Sequence, residues 1–215
     1  MRIRDIITES LDEQVLDEFS HMDKKIYDAL KEKGYKYLGS GVDQSAFTEP
    51  GTGFVLKIFG TNETDQFSND HKMFFKWYKF CSKHQSNPFL PRFYGHESFF
   101  WPSREDPNKK DRYLMIRTEP LKDSGNLGKV LSNMAQNVIE GDTIKTVLRF
   151  LQETNPNTYA ILMKQYGEKG IAQFLATTKK LEVIGDRAGY VWDLHWGNIM
   201  MRDDGTPIIN DPWVS

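Results

Sequence analysis

The chain has 215 residues, of which 39% are hydrophobic and 27% charged, and its net charge is −2. This length suits one domain or two small lobes, and the near-neutral charge argues against broad electrostatic binding of nucleic acid. Cys81 is the single cysteine, which excludes an intrachain disulfide and a cysteine-cluster zinc site and favours a reducing cytoplasm. No apolar run approaches the ~20 residues that span a bilayer, so we expect no membrane partner.

The predicted elements run from a helix to strands and then to helices. Residues 1–33 are predicted to form a helical segment whose acidic, amphipathic start is unlike a signal peptide. We expect this segment to pack on the domain or to dock a partner. Residues 34–121 are predicted to be β-rich, and residues 122–215 mainly helical. The predicted strands lie within 35–41, 45–60, 88–101 and 112–121. The predicted helices span about 66–84, 126–139, 142–153, 157–165 and 171–183. This order predicts an α+β fold with a sheet-rich and a helical lobe.

A turn that contains two glycines precedes a strand with a single charge. Gly39 and Gly41 let backbone N–H groups approach a polyanion, because no Cβ stands in the way. Lys57 lies among apolar neighbours in the strand FVLKIF, where a lysine is costly unless it meets an anion such as a phosphate. A purely structural turn beside a strand lysine is the alternative interpretation of this stretch.

The helix that follows offers an acid for Lys57. One face of this helix carries Asp70, Met73, Phe74, Trp77 and Cys81. The apolar members are expected to face the core, which leaves Asp70 at the end of that face. Asp70 either pairs with Lys57 or caps the start of the helix. Glu63 and Asp65 are the alternative partners.

The end of the sequence, DLHWGNIMMRDDGTPIINDPWVS, predicts a β-hairpin that binds a metal. The stretches NIMM and PIIN are predicted strands joined by an Asp-Gly turn. Antiparallel pairing then brings Asn198 and Asp211 together, with Asp193 on the preceding loop. Amide and carboxylate oxygens suit Mg²⁺, which takes few protein ligands and several phosphate oxygens. An aspartate beside that metal can orient or deprotonate a hydroxyl nucleophile.

DLHWGN followed by IINDPW resembles the catalytic loop and metal-binding hairpin of the protein-kinase-like superfamily. In that family the loop is Asp-Leu-x-x-x-Asn, the hairpin ends in Asp-Phe-Gly, and the step of 13 residues from Asn198 to Asp211 is the usual one. The DLHxGN form is most similar to the aminoglycoside-kinase and atypical-kinase branches, and the chain is similar to truncated bacterial effector and phage-encoded kinases. The glycine turn, the strand with Lys57 and the helix after it occur in the family order. The resemblance therefore covers about residues 35–215.

The resemblance implies a two-lobe phosphotransferase that uses ATP and Mg²⁺. Asp193 and Lys57 would be catalytic, with Asp193 as the base, while Asn198 and Asp211 would bind the metal. The residues implied to bind the nucleotide are Gly39, Gly41, Lys57, Asp70, Thr118, Glu119 and Leu121. Thr118 to Leu121 would form the hinge against adenine. A cytoplasmic enzyme is implied, in the host cytoplasm if the kinase is phage-encoded or an effector.

The sequence departs from the family pattern around the hairpin. YVW stands before Asp193, so the arginine that reads a phosphorylated activation loop is missing. DPW replaces Asp-Phe-Gly, and Pro212 disfavours the usual flip of this segment because it fixes φ. The sequence ends four residues after Asp211, so we expect the substrate platform to come from residues 126–185, the N-terminal helix or a partner. His195 is expected to fix the loop rather than bind metal.

Several functions are left open beside a protein kinase with a Ser or Thr acceptor. A catalytically inactive pseudokinase scaffold is one, although the base and both metal ligands are present. An aminoglycoside-kinase-like enzyme is another, but the acids within 126–185 are scattered, which favours a protein acceptor. A nucleic-acid binder could use the lysines and aromatics between 72 and 83, yet no further basic patch accompanies them. Likeness of fold alone does not decide among these functions.

Overall fold

The computed structural model describes residues 24–40, 44–60, 69–102, 106 and 108–214, without the side chains of residues 40 and 69–71. Residues 1–23 of the predicted helical segment 1–33 lie outside this range, as do Gly41, Glu63 and Asp65. The fold is α+β, as predicted, and its strands are mostly antiparallel. The chain divides into two compact units: unit 1 comprises Met1–Ser82 and Arg92–Pro120, and unit 2 comprises Lys83–Pro91 and Leu121–Ser215. No helix in the described ranges is long and apolar enough to cross a membrane.

Unit 1 is built on a five-stranded antiparallel sheet. Its strands are β1 (Lys36–Ser40), β2 (Gln44–Thr48), β3 (Val55–Gly60), β4 (Phe93–Pro102) and β5 (Lys110–Thr118). They lie in the order β1-β2-β3-β5-β4, which places β3 in the middle of the sheet. Alternate residues of β2 are buried, as expected for side chains that point to opposite faces in turn.

Strand β4 begins later than the sequence pattern indicated. The prediction placed a strand over 88–101, but the ladder starts at Phe93. Pro88 and Pro91 have no N–H and cannot donate to a ladder, which accounts for the late start. The residues before it, Lys83–Pro91, belong to unit 2.

Two helices of unit 1 bury the apolar faces that their sequences present. Helix α1 (Lys24–Glu32) packs Ile26 and Leu30 into a core that includes Phe47, Leu56 and Ile58. Helix α2 (Asn69–Lys83) confirms the predicted apolar face. The buried residues of that face are Met73, Phe74, Trp77 and Cys81.

Two helices of unit 2 begin at residues whose side chains cap them. The helices of this unit are α3 (Gly125–Ile139), α4 (Ile144–Thr154) and α5 (Pro156–Arg187). The Thr143 side chain accepts a hydrogen bond from the N–H of Thr146, and Asn155 caps α5 in the same way. Helix α5 is interrupted at Gly167, where φ is 64° and ψ is 169°. This break lies between the two helices that the sequence predicted.

Short strands complete unit 2. They are β6 (Lys122–Asp123), β7 (Val191–Trp192), β8 (Ile199–Met201), β9 (Pro207–Ile209) and β10 (Trp213–Val214). The antiparallel β8–β9 pair is the predicted hairpin, and β6 extends it on the β8 side. The β7–β10 pair joins the residues on either side of the candidate site.

Candidate active site

The loop from Asp193 to Asn198 is folded by hydrogen bonds within itself. The N–H of His195 donates to the Asp193 carbonyl at 3.0 Å, and the N–H of Asn198 donates to the His195 carbonyl at 3.0 Å. The side-chain amide of Asn198 also donates to the Asp193 carbonyl, at 2.7 Å. This bond fixes the nitrogen end of the amide, so the amide oxygen is the end that a cation would use.

Main-chain hydrogen bonds bring the Asp211 segment to this loop. The N–H of Asn210 donates to the carbonyl of Asn198 at 2.7 Å, and the N–H of Asp193 donates to the carbonyl of Pro212 at 2.8 Å. Asp211 therefore lies between Asn210, which is bonded to Asn198, and Pro212, which is bonded to Asp193. The backbones of Asp193, Asn198 and Asp211 converge as the hairpin pattern predicted.

Asp211 adopts an uncommon backbone conformation. Its φ is 51°, and no other non-glycine residue in the described part of the chain has a positive φ. The left-handed region is unfavourable for a residue with a Cβ, and Asp and Asn tolerate it best. Such conformations persist where neighbouring contacts hold them, and they cluster at functional sites. The hydrogen bonds of Asn210 and Pro212 are contacts of this kind.

The donor set of the loop and hairpin fits Mg²⁺. Asn198 and Asp211 offer an amide and a carboxylate oxygen, the hard ligands that Mg²⁺ takes together with phosphate oxygens. Within the described ranges no cluster of three or more His, Cys, Asp or Glu side chains could hold a metal. Asn198 and Asp211 would supply two ligands, so a metal held by them would take its remaining ligands from water or phosphate oxygens.

His195 braces the loop through its imidazole ring. Its Nδ1 accepts a hydrogen bond from the N–H of Gly197 at 3.0 Å, and its Nε2 lies 3.9 Å from Oδ2 of Asp193. A ring nitrogen that accepts an N–H has its lone pair engaged and does not bind a metal. The geometry thus supports the predicted loop-fixing role of His195.

Helix α3 supports the loop from one side. The Ser132 hydroxyl donates to the Leu194 carbonyl at 2.9 Å, and the Ser124 hydroxyl donates to the Ile199 carbonyl. A Cβ placed on Gly128 would lie 3.2 Å from the carbonyl oxygen of Trp196. The glycine therefore lets the loop backbone approach the helix closely.

The hairpin is tied to the segment Lys83–Pro91. The guanidinium of Arg202 donates to the carbonyls of Pro88 and, at 2.9 Å, Leu90. The N–H of Ile209 donates to the Phe89 carbonyl at 2.9 Å. These bonds hold both strands of the hairpin against one segment of unit 2.

The turn of the hairpin is held by helix α5. The Tyr166 hydroxyl and the side-chain amide of Gln165 both donate to the Gly205 carbonyl. Burial, with a smaller contribution from the Asp204 carboxylate, raises the pKa of Tyr166 to about 12. The tyrosine therefore stays protonated at neutral pH and keeps its hydroxyl as a donor. Both donors lie just before the break at Gly167.

The residue after Pro212 anchors the segment that follows the site. The indole N–H of Trp213 donates to the Leu181 carbonyl of α5 at 3.1 Å, and the side chain is buried. A Cβ placed on Gly185 would lie 2.5 Å from Nε1 of Trp213. Helix α5 therefore accepts the indole only where it has a glycine.

Gly185→Ala is expected to destabilise unit 2. The added methyl group overlaps the indole, and such overpacking costs about 1–3 kcal/mol of the free energy of unfolding. Urea denaturation measures this cost. In a Trp213→Phe background the smaller ring leaves room, so we expect the cost to fall by on the order of 1 kcal/mol. Equal costs in the two backgrounds would show that the overlap is not the cause.

The lysine predicted to bind phosphate lies in the middle of the unit 1 sheet. Lys57 pairs with Ala46 of β2 and Ile116 of β5. Its Nζ lies 4.9 Å from the centroid of the Phe74 ring, where a cation is favoured over the aromatic face. Asp70 is the second residue of α2, one helical turn before Phe74. Its carboxylate lies outside the description, so the Asp70–Lys57 pairing stays a prediction.

The glycine turn is described only in part. Gly39 has a φ of 153°, a value that favours glycine, and lies at an irregularity in the β1–β2 register next to Tyr37. Gly41 lies outside the described residues. The predicted covering of phosphates by this turn therefore stays a prediction.

The predicted hinge begins at the end of β5. The N–H of Glu119 donates to the Arg92 carbonyl at 3.0 Å, and the N–H of Arg92 donates to the Glu119 carboxylate at 2.8 Å. The Thr118 hydroxyl also donates to the Arg92 carbonyl, at 3.1 Å. The N–H of Glu119 is thus engaged and Pro120 has no N–H, so the backbone donor left in the predicted hinge is that of Leu121.

In comparisons with known proteins, the sequence matches no family model and no curated protein. The motifs and the hydrogen bonds of the loop and hairpin are therefore the basis of any functional conclusion.

Proposed function

We propose that this chain is an ATP- and Mg²⁺-dependent phosphotransferase with a two-lobe, protein-kinase-like fold. The N-lobe would comprise residues 34–121 and the C-lobe residues 122–215, and the enzyme would act in the cytoplasm. The observation that carries the proposal is the bonding that joins Asp193, Asn198 and Asp211 through Asn210 and Pro212. A loop aspartate beside an Asn–Asp ligand pair is the arrangement that protein kinases use for phosphoryl transfer to a hydroxyl.

Each candidate residue has one task in the proposed reaction. Asn198 and Asp211 would hold Mg²⁺, and the bound metal would offset the negative charge of the phosphates. Lys57 would bind the α- and β-phosphates. Asp193 would orient the acceptor hydroxyl and take its proton as the acceptor oxygen bonds to the γ-phosphorus. The bond from that phosphorus to the β,γ-bridging oxygen breaks, and ADP leaves.

The acceptor in this proposal is a Ser or Thr hydroxyl of a protein. A cationic aminoglycoside would need a cluster of acidic side chains, whereas the acids within 126–185 are scattered along the sequence and helix α3 has none. A pseudokinase scaffold with the same residues would bind a partner without transferring phosphate. Phosphate transfer that is present in the wild-type chain and lost in Asp193→Asn separates an enzyme from such a scaffold.

Nucleotide binding gives the first test. With ATP at ~100 times its dissociation constant, we expect about 2.7 kcal/mol of added stability and a melting temperature raised by several degrees, only when Mg²⁺ is present. Differential scanning fluorimetry measures the shift. Mg²⁺ alone and Mg²⁺ with AMP, which lacks the β- and γ-phosphates, are the controls. No shift at millimolar ATP would contradict the proposal.

A further inference from the structure

Trp196 is a tryptophan that the candidate catalytic loop leaves exposed. Its side chain is 48% accessible, whereas Trp77, Trp101 and Trp213 are at most 3% accessible. It lies in the same loop as Asp193, between His195 and Gly197. Covering an indole removes a large apolar surface from water, so an exposed one beside a reactive group offers binding free energy to a ligand.

The backbone of Trp196 lies against helix α3, and its ring contacts a lysine of that helix. Trp196 begins the short 3₁₀ turn that runs to Asn198, and its carbonyl lies close against Gly128 of α3. The ammonium of Lys129 lies 5.3 Å from the centroid of its ring, a cation–π contact that covers one face of the indole. A tryptophan side chain has two rotatable bonds and therefore loses little conformational entropy on binding.

The positive charge of Lys129 beside the indole affects which ligands can bind there. Lys129 is the single charged residue of α3, whose sequence is GNLGKVLSNMAQNVI. A ligand that reaches Trp196 therefore meets a positive charge on the neighbouring helix. An acidic group beside the indole can pair with this ammonium. Charge complementarity with Lys129 thus favours a polypeptide that carries an acidic side chain.

We propose that Trp196 and Lys129 form the docking surface for the phosphoacceptor polypeptide. An apolar side chain close in sequence to the acceptor Ser or Thr packs on the open part of the indole, and an acidic side chain pairs with Lys129. This inference rests on the proposed function, because it names the substrate class of the same site.

A positional-scanning library of Ser- and Thr-centred peptides with labelled ATP tests the proposal. The wild-type chain is expected to prefer an apolar residue at one position and an acidic residue at another, each by about tenfold or more, the preference of a well-placed side chain. Trp196→Ala loses the apolar preference, and Lys129→Glu exchanges the acidic preference for a basic one. Phe150→Ala and Lys180→Glu, which change exposed residues elsewhere in unit 2, are the matched controls and keep both preferences.

Peptide binding without nucleotide gives a readout that is independent of transfer. The preferred peptide is expected to protect the wild-type chain from quenching of its tryptophan fluorescence by acrylamide, and to give no such protection in Trp196→Phe. Peptide phosphorylation with preferences that both variants leave unchanged would overturn this inference and leave the proposed function standing. Absence of phosphorylation together with absence of the Mg²⁺-dependent melting shift would overturn both.

Discussion

Asp193→Asn is expected to remove phosphoryl transfer while nucleotide binding persists. The substitution keeps the shape of the side chain but takes away the group that accepts the proton. Loss of a positioned base costs roughly 10²–10⁴-fold in rate, so we expect turnover to fall by about 10³-fold, or ~4 kcal/mol of barrier. The loop should keep its form, because Asn198 and His195 bond to the main-chain carbonyl of residue 193.

Transfer of labelled phosphate and the Mg²⁺-dependent melting shift, measured on the same preparation, test this expectation. Asp203→Asn is the matched control, since it makes the same change in the exposed turn of the hairpin. Asp203 pairs with Lys122 at 2.6 Å, but both side chains are exposed and such pairs contribute little. Undiminished transfer in Asp193→Asn would remove Asp193 from the role of base.

Asp211→Gly is expected to abolish the stabilisation by ATP and Mg²⁺ while the fold survives. The carboxylate is one of the two proposed metal ligands, so its loss removes the metal-dependent melting shift of several degrees. Glycine adopts a φ of 51° without the cost that a Cβ brings there. This backbone gain opposes the loss of the side chain's own contacts, so we expect the free energy of unfolding without ligand to fall by no more than about 1 kcal/mol.

Two further substitutions separate the effect of the Asp211 charge from the effect of its positive φ. Asp211→Asn keeps the tolerance for positive φ and removes the charge, so it should weaken the metal-dependent shift without destabilising the fold. Asp211→Ala removes the ligand and keeps the backbone cost of a Cβ, so it should be about 1 kcal/mol less stable than Asp211→Gly. If Asp211→Gly unfolds instead, the residue is structural and the proposed site is wrong.

Local signals predicted the secondary structure around the site. The Asp-Gly turn and the apolar strands on either side were enough to predict the β8–β9 hairpin. The caps at Thr143 and Asn155 explain where α4 and α5 begin, and the glycine at 167 explains the interruption of α5. In each case the deciding residues lie within a few positions of the feature they determine, so a single sequence contains the information.

Contacts between residues far apart in the chain were not predictable in this way. Ser132 bonds to Leu194, and Arg202 bonds to the carbonyl of Leu90, because tertiary packing brings these segments together. One signal was available for two other contacts. Gly128 and Gly185 are inside helices, where glycine is unfavourable, and each marks a close approach by another segment. Sequence alone did not show which segment approaches.

The route of the chain limits how the protein can be divided into fragments. Because Lys83–Pro91 belongs to unit 2, the polypeptide enters that unit, leaves it and returns to it. A fragment that starts at residue 121 would lack the carbonyls that accept hydrogen bonds from Arg202 and Ile209. Truncation or split-protein experiments that aim to isolate the loop and hairpin must therefore supply residues 83–91 as a separate peptide or through a permuted gene.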